Sequence, residues 1–296
     1  MCGLAGIILK QKDRDNETLN GVSGSFVKML TEADMRGGHA TGFALIDKHG
    51  DYAICKKPKD AYGFFDDVEV KDNIGLVYDG ITCLMGHTRY ATLGSPSINK
   101  NNHPIRTGQT IGTHNGSISN HDELFHKYDM ERFAQVDSEA IFRLYETSNG
   151  IDDFLNNRLP KVEGRVAIVW SDLERPEYVY MVKANNPIEM VYIPEIDGYA
   201  YGSTMSIINA GFWGNYKRIT IEPNTMIRIN TKTLKIDTKK IEIARSRVKK
   251  FSFYDEKIGA YKDKEETIPN FVPRFSYSDQ LKMFKTSDGS TIRKVK

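Results

Sequence analysis

Met1-Cys2-Gly3-Leu4-Ala5-Gly6-Ile7-Ile8-Leu9 opens the chain, and the reading of this stretch decides the fold. From Gly3 to Leu9 every residue is apolar or glycine, and the polar residues 10–16 end the run. A short continuous apolar run of this kind reads as a strand buried on both faces. It is too short to span a membrane. No basic segment precedes it and no small-residue cleavage site follows, so it does not read as a secretory signal. At its head, Cys2 follows Met1 directly, and a small second residue permits removal of the methionine. Cys2 would then carry both its thiol and the free α-amine. That amine ordinarily titrates near pH 8, so it can take the thiol proton and leave an activated nucleophile. On position alone, Cys2 reads equally as an incidental small residue opening a buried strand.

Outward from this strand, Leu19 to Met35 places Val22, Phe26, Met29, Leu30 and Ala33 at helical spacing. Thr41–Ile46 and Asp51–Cys55 read as a hairpin across Lys48-His49-Gly50. Ile81–Met85 is expected as a strand feeding the polar segment from His87 to His103. Thr110–Thr113 is another, ending at His114-Asn115-Gly116. Ser138 to Glu146 has helical periodicity. Residues 166–170, 178–183, 190–193, 199–203, 218–221 and 226–230 read as successive strands, with a helix starting near Ser206. Strand-rich stretches bracketing a few helices indicate α+β patterning rather than βαβ alternation.

Composition narrows the function classes. The 296 residues carry 41 Lys+Arg against 39 Asp+Glu, a net charge of +2. That balance argues against nucleic-acid binding by bulk charge and against a disordered polyelectrolyte. No stretch is long and apolar enough for a transmembrane helix, so no membrane partner is expected. Cys2, Cys55 and Cys83 are odd in number and widely spaced, which favours a reducing, cytoplasmic setting over a disulfide framework. No CxxC pair exists. His87, His103 and His114 lack the HxxxH or HExxH spacing of a metal site and read as satisfied structural histidines. Neither a metal nor another cofactor is expected.

Three further segments bear on Cys2. They are Met35-Arg36-Gly37-Gly38-His39-Ala40-Thr41-Gly42, then Gly86-His87-Thr88-Arg89-Tyr90-Ala91-Thr92 running on to Asn101-Asn102-His103-Pro104, and Thr113-His114-Asn115-Gly116. With the opening strand and Val136-Asp137-Ser138-Glu139-Ala140-Ile141, their order and spacing resemble the class II glutamine amidotransferases. Val162 to Ala167 and Tyr201-Gly202-Ser203 match more loosely. The resemblance covers about residues 2–243. It implies an N-terminal-nucleophile hydrolase fold, a four-layer αββα sandwich.

The resemblance also implies roles. Cys2 would attack the side-chain amide of L-glutamine, forming a thioester and releasing ammonia, with its own α-amine as base. Asn115 and the Gly116 N–H would form the oxyanion hole, although Asn-Gly is also a common type I′ turn. Arg89 would hold the α-carboxylate with a planar fork that lysine cannot copy. Its alternative is a surface arginine. Asp137 would hold the α-ammonium, or cap the helix that follows, with Ser138 able to cap instead. Thr92 would bond near the substrate carboxylate, Tyr90 would cover the site, and Arg36 would brace the loop near Cys2. Cys55 and Cys83 read as inert core thiols.

Composition shifts near Arg245. Residues 245–296 hold 13 Lys+Arg against 7 Asp+Glu and eight aromatics. The expected organisation is therefore an amidotransferase domain at residues 2–244 and a basic, aromatic-containing extension at 245–296. No P-loop is present. The expectation is a stand-alone glutaminase module whose ammonia passes to an unidentified acceptor or to a synthase-like subunit in trans. The rivals are an N-terminal-nucleophile amidase acting on another amide and a silent regulatory scaffold.

Overall fold

The structure is a computed structural model. It describes residues 2–244 and the backbone of 248–255 and 260–267. Two antiparallel sheets stack face to face. The first has the order β11-β9-β10-β1-β4-β2-β3. Its strands are β1 (Gly3–Leu9), β2 (Ala40–Asp47), β3 (Tyr52–Lys57), β4 (Ile81–Arg89), β9 (Glu189–Ile193), β10 (Gly198–Gly202) and β11 (Lys217–Ile219). The second has the order β13-β12-β8-β7-β6-β5. Its strands are β5 (Ile105–Thr107), β6 (Thr110–Ile118), β7 (Gly164–Asp172), β8 (Tyr178–Lys183), β12 (Thr225–Asn230) and β13 (Ile236–Lys240).

Helices cover both outer faces. On the first sheet lie α1 (Asn16–Ala33), the short α2 (Ala61–Phe65) and α3 (Val68–Ile74), and α7 (Met205–Gly211). On the second lie α4 (His121–Lys127), α5 (Ser138–Glu146) and α6 (Ile151–Asp153), whose turns continue to Lys161. Three apolar clusters separate these layers: one under α1, one between the sheets and one under α5. The arrangement is a four-layer α+β sandwich, helices–sheet–sheet–helices, as the resemblance implies. Among the described residues no helix is long and apolar enough to cross a membrane.

Local chemistry explains the central elements. Strand β1 is sandwiched between β10 and β4, and all seven of its residues are buried. Ala5, Ile7 and Leu9 face α1, whereas Leu4 and Ile8 face the second sheet. This two-sided burial is why the strand reads as continuous apolar sequence. Gly6 is required by close approach, because a Cβ there would lie 2.2 Å from the Tyr201 ring. Helix α1 starts at Asp15, whose side chain accepts the Thr18 N–H at 2.7 Å. Its buried stripe runs Leu19, Val22, Phe26, Met29, Leu30, Ala33.

Several expectations need adjustment. β4 does not stop at Met85 but continues through His87, Thr88 and Arg89. β6 likewise runs through Asn115-Gly116 to Ile118, so that dipeptide is not a turn. The 245–296 extension lies largely outside the described residues. Within it, β14 (Val248–Asp255) pairs antiparallel with β15 (Ala260–Thr267).

Candidate active site

The pairing Gly3↔Thr88 sets the end of β4 beside the head of β1. The Tyr90 N–H donates to Cys2 Sγ at 3.4 Å, and the thiol reaches the Tyr90 carbonyl at 3.7 Å. Arg36 Nε donates to the Cys2 carbonyl at 3.1 Å. Burial raises the Cys2 thiol above its ordinary value, while the Tyr90 contact and the Arg89 charge pull the other way. The half-buried thiol therefore holds its proton tightly unless a base lies next to it.

Side chains alternate along β4. Thr88 turns towards α1 and donates to the Ala33 carbonyl at 2.7 Å. Arg89 turns the other way and is 3% exposed, which excludes the surface-arginine reading. Its Nη1 donates to Asn102 Oδ1 at 3.0 Å, and its Nη2 donates to the Leu93 and Gly94 carbonyls at 2.5 and 2.8 Å. Three of the guanidinium's five N–H groups are thus used by the 93–102 loop. The charges of Cys2 and Asp137 both act on Arg89, which places the three groups together.

Asp137 is buried at the start of α5, but its side chain makes no capping bond there. Its Oδ2 instead accepts the Ile118 N–H at 2.6 Å. Ser138 does not cap either, because its hydroxyl bonds His114 Nδ1 at 2.8 Å. The Asp137 carboxylate is thus fixed at the end of β6.

Asn115 lies on the inter-sheet face of β6. Its Nδ2 donates to Ser203 Oγ at 3.3 Å, and that hydroxyl also accepts the Leu4 N–H at 2.8 Å. One serine therefore ties the Asn115 amide to the strand that begins at Cys2. The Asn115 carbonyl accepts from Asn186 Nδ2 at 2.8 Å. Gly116 pairs with Val166, but the Val166 N–H and C=O serve Asn185 and Ala184 on the far side. Gly116 is thus in a non-hydrogen-bonded pair, and its N–H points away from β7. On the same edge the His114 carbonyl meets His87, and the Ile118 N–H meets Asp137.

Tyr90 is 49% exposed and stacks on His39 with ring centres 4.8 Å apart. His39 Nδ1 accepts the Ala91 N–H at 3.0 Å, holding the chain just beyond Tyr90. Thr92 is exposed in the following loop. Sequence reasoning gave no role to His39, Ser203, Asn186 or Asn102. His39 and Asn102 lay inside quoted motifs, and Ser203 ended an expected strand, but nothing local revealed their partners.

The histidine expectation needs correction. His114 bonds Ser138 and the Arg165 carbonyl, and His87 bonds the His114 carbonyl. Neither ring nitrogen of His103 has a partner among the described residues, nor does His87 Nδ1. The two rings pack 4.1 Å apart. Burial lowers all three histidines, His87 to about 3, so they are neutral core groups but not fully satisfied ones. Cys55 and Cys83 are buried, and burial pushes the Cys83 thiol up to about 12.

Residues 87–210 match the family described as a glutamine amidotransferase domain. The chain is 29% identical over 196 residues to the glutamine–fructose-6-phosphate aminotransferase of Bacillus licheniformis, covering 64% of this chain and 30% of that one. It is 21% identical over 258 residues to 7-cyano-7-deazaguanine synthase 2 of Sulfurisphaera tokodaii, covering 84% and 52%. Its fold matches the B. subtilis glutamine phosphoribosylpyrophosphate amidotransferase solved with ADP and GMP, with TM-score 0.62 and 18% identity, covering 81% of this chain and 49% of that one. The chain therefore spans 30% to 52% of these proteins' lengths. Residues 87–210 thus match a glutamine amidotransferase domain, and over most of its described length the chain is similar to class II glutamine amidotransferases.

Proposed function

We propose that the chain hydrolyses L-glutamine to glutamate and ammonia, with Cys2 as nucleophile once Met1 is removed. The observation that carries this reading is the grouping of Cys2, Arg89 and Asp137 at the end of β1 and β4, facing the Asn115-Gly116 edge of β6. A carboxylate and a guanidinium fixed about one nucleophile suit a zwitterionic amino acid. Glutamine is also the nitrogen donor in two of the relatives' names.

In this mechanism the Cys2 α-amine takes the thiol proton, and Sγ attacks the side-chain amide carbon. The oxyanion of the tetrahedral adduct is stabilised by Asn115 Nδ2 and the Gly116 N–H. The ammonium returns its proton to the leaving nitrogen, the C–N bond breaks, and ammonia departs from a thioester. Water, deprotonated by the same amine, then releases glutamate and the free thiol. Arg89 and Asp137 hold the α-carboxylate and α-ammonium throughout. Thr92 and Tyr90 border the entrance, and Arg36 fixes the Cys2 backbone. The relatives' names differ in what receives nitrogen, so the acceptor here is assigned only to a domain or subunit outside residues 2–244.

The test measures glutamate and ammonia release by the purified chain, with intact mass reporting loss of Met1. Release abolished in Cys2→Ala supports the reading. No release from a folded wild type lacking Met1 contradicts it and leaves a silent scaffold or another amide substrate.

A further inference from the structure

Lys56 lies on the edge strand β3, where a long cationic side chain would ordinarily run out to water. Its neighbour Lys57 pairs with carboxylates, Asp67 at 2.9 Å and Glu69 at 2.7 Å. Lys56 instead turns into the space between the sheets and is buried. Its Nζ donates to the Asn102 carbonyl at 2.7 Å and the Pro104 carbonyl at 3.0 Å. Its own carbonyl accepts from Asn99 Nδ2 at 2.6 Å. Both ends of Lys56 therefore grip the 99–104 segment.

That segment holds the arginine. Asn102 Oδ1 accepts from Arg89 Nη1 at 3.0 Å, while Asn102 Nδ2 donates to the Pro96 carbonyl at 2.7 Å and to Asn99 Oδ1 at 3.2 Å. Lys56 fixes the Asn102 backbone, and the Asn102 side chain fixes one arm of the guanidinium. Burying an ammonium without a direct carboxylate partner is costly, and an apolar residue of similar length would fill the space without that cost. Burial and the Arg89 charge lower Lys56 to about 7, with Glu139 acting in the opposite direction. The retained amine has a use in this arrangement, which is to pin two carbonyls behind the arginine.

We infer that Lys56 is a positioning residue for glutamine binding, acting through Asn102 on the Arg89 fork that receives the α-carboxylate. The inference deepens the proposed role of Arg89 and rests on it. An arginine held in place binds ground state and transition state alike, so its loosening raises KM and leaves kcat nearly unchanged.

The test is steady-state glutaminase kinetics on Lys56→Met, Asn102→Ala and the double variant, with Arg89→Lys as control. Lys56→Met is expected to raise the glutamine KM about tenfold, the scale of one lost charged hydrogen bond, with kcat within about threefold of wild type. Alkylation of Cys2 by iodoacetamide, which needs no carboxylate site, stays at the wild-type rate. The double variant is no worse than the poorer single one, because both break the same connection. If Lys56→Met does not fold, Lys56→Gln keeps one donor and is expected to give an intermediate KM. An unchanged KM in the folded Lys56 variant, or single effects that multiply in the double, overturns the inference. If Arg89→Lys raises KM while the Lys56 variant does not, only this inference falls. If Arg89→Lys itself leaves KM unchanged, the Arg89 reading falls and takes this inference with it.

Discussion

Asn115 and Arg89 are expected to fail differently when changed. Asn115→Ala removes a donor aimed at charge that exists only after attack, so kcat is expected to fall roughly 10²–10³-fold with little change in KM. Arg89→Lys replaces a fork with a point charge and is expected to act mainly on KM. Steady-state kinetics separate the two, and an unchanged kcat in Asn115→Ala removes that residue from the mechanism. Lys56 offers a residue-scale check that does not depend on activity. Unfolded, it titrates near 10.5, whereas in the fold it titrates at about 7. Between those values the unfolded chain holds a proton that the native state has released, so stability rises with pH across the window. Urea unfolding at pH 7 and pH 9 is expected to show wild type gaining stability relative to Lys56→Met. Parallel curves would contradict the burial of that charge.

At the scale of elements, the strands were the most legible part of the sequence. Gly3–Leu9, buried throughout, and Tyr178–Lys183, buried from Val179 to Val182, both match strand bounds residue for residue. Strand ends were less legible where polar function begins. His87, Thr88 and Arg89 extend β4 although none is apolar, because the neighbouring strands β1 and β2 continue the ladder. Asn115-Gly116 carried a local turn signal that pairing with β7 overrides. The helices Ala61–Phe65, Val68–Ile74 and His121–Lys127 were missed, since segments that short show too few turns for a period to emerge. Cys2, Arg89 and Asp137 come from three separate quoted motifs, and the structure brings them together. Orienting partners come from distant strands, as Ser203 does for Asn115. Gly6 gives the element-scale prediction. Gly6→Ala drives a methyl into the Tyr201 ring between the sheets. It is expected to cost about 1–3 kcal/mol in urea unfolding, as overpacking does, and a neutral result would contradict the packing described.

At the scale of the whole molecule, acid sensitivity follows from the buried imidazoles. His87, His103 and His114 stay neutral in the fold, while the unfolded chain protonates them near 6.5. As pH falls below that value the unfolded state takes up protons the native state refuses, so stability is lost on acidification. The urea midpoint is expected to drop between pH 7 and pH 5, and a constant midpoint would contradict neutral burial. We also propose residues 2–244 as the folding unit and 245–296 as an extension that docks an ammonia-accepting subunit. Ala244 bridges Glu163 at the boundary. A chain cut after Ala244 is expected to fold and keep its glutaminase rate. Unfolding would instead make the extension part of the body.

The central claim is that Cys2 acts with its own α-amine. The most direct measurement compares glutamine hydrolysis by the chain lacking Met1 with hydrolysis by a chain carrying an uncleaved N-terminal extension, both checked by intact mass and circular dichroism. The account predicts glutamate and ammonia from the first and no detectable turnover from the second, with the same fold in both. Equal turnover by the extended chain would contradict it.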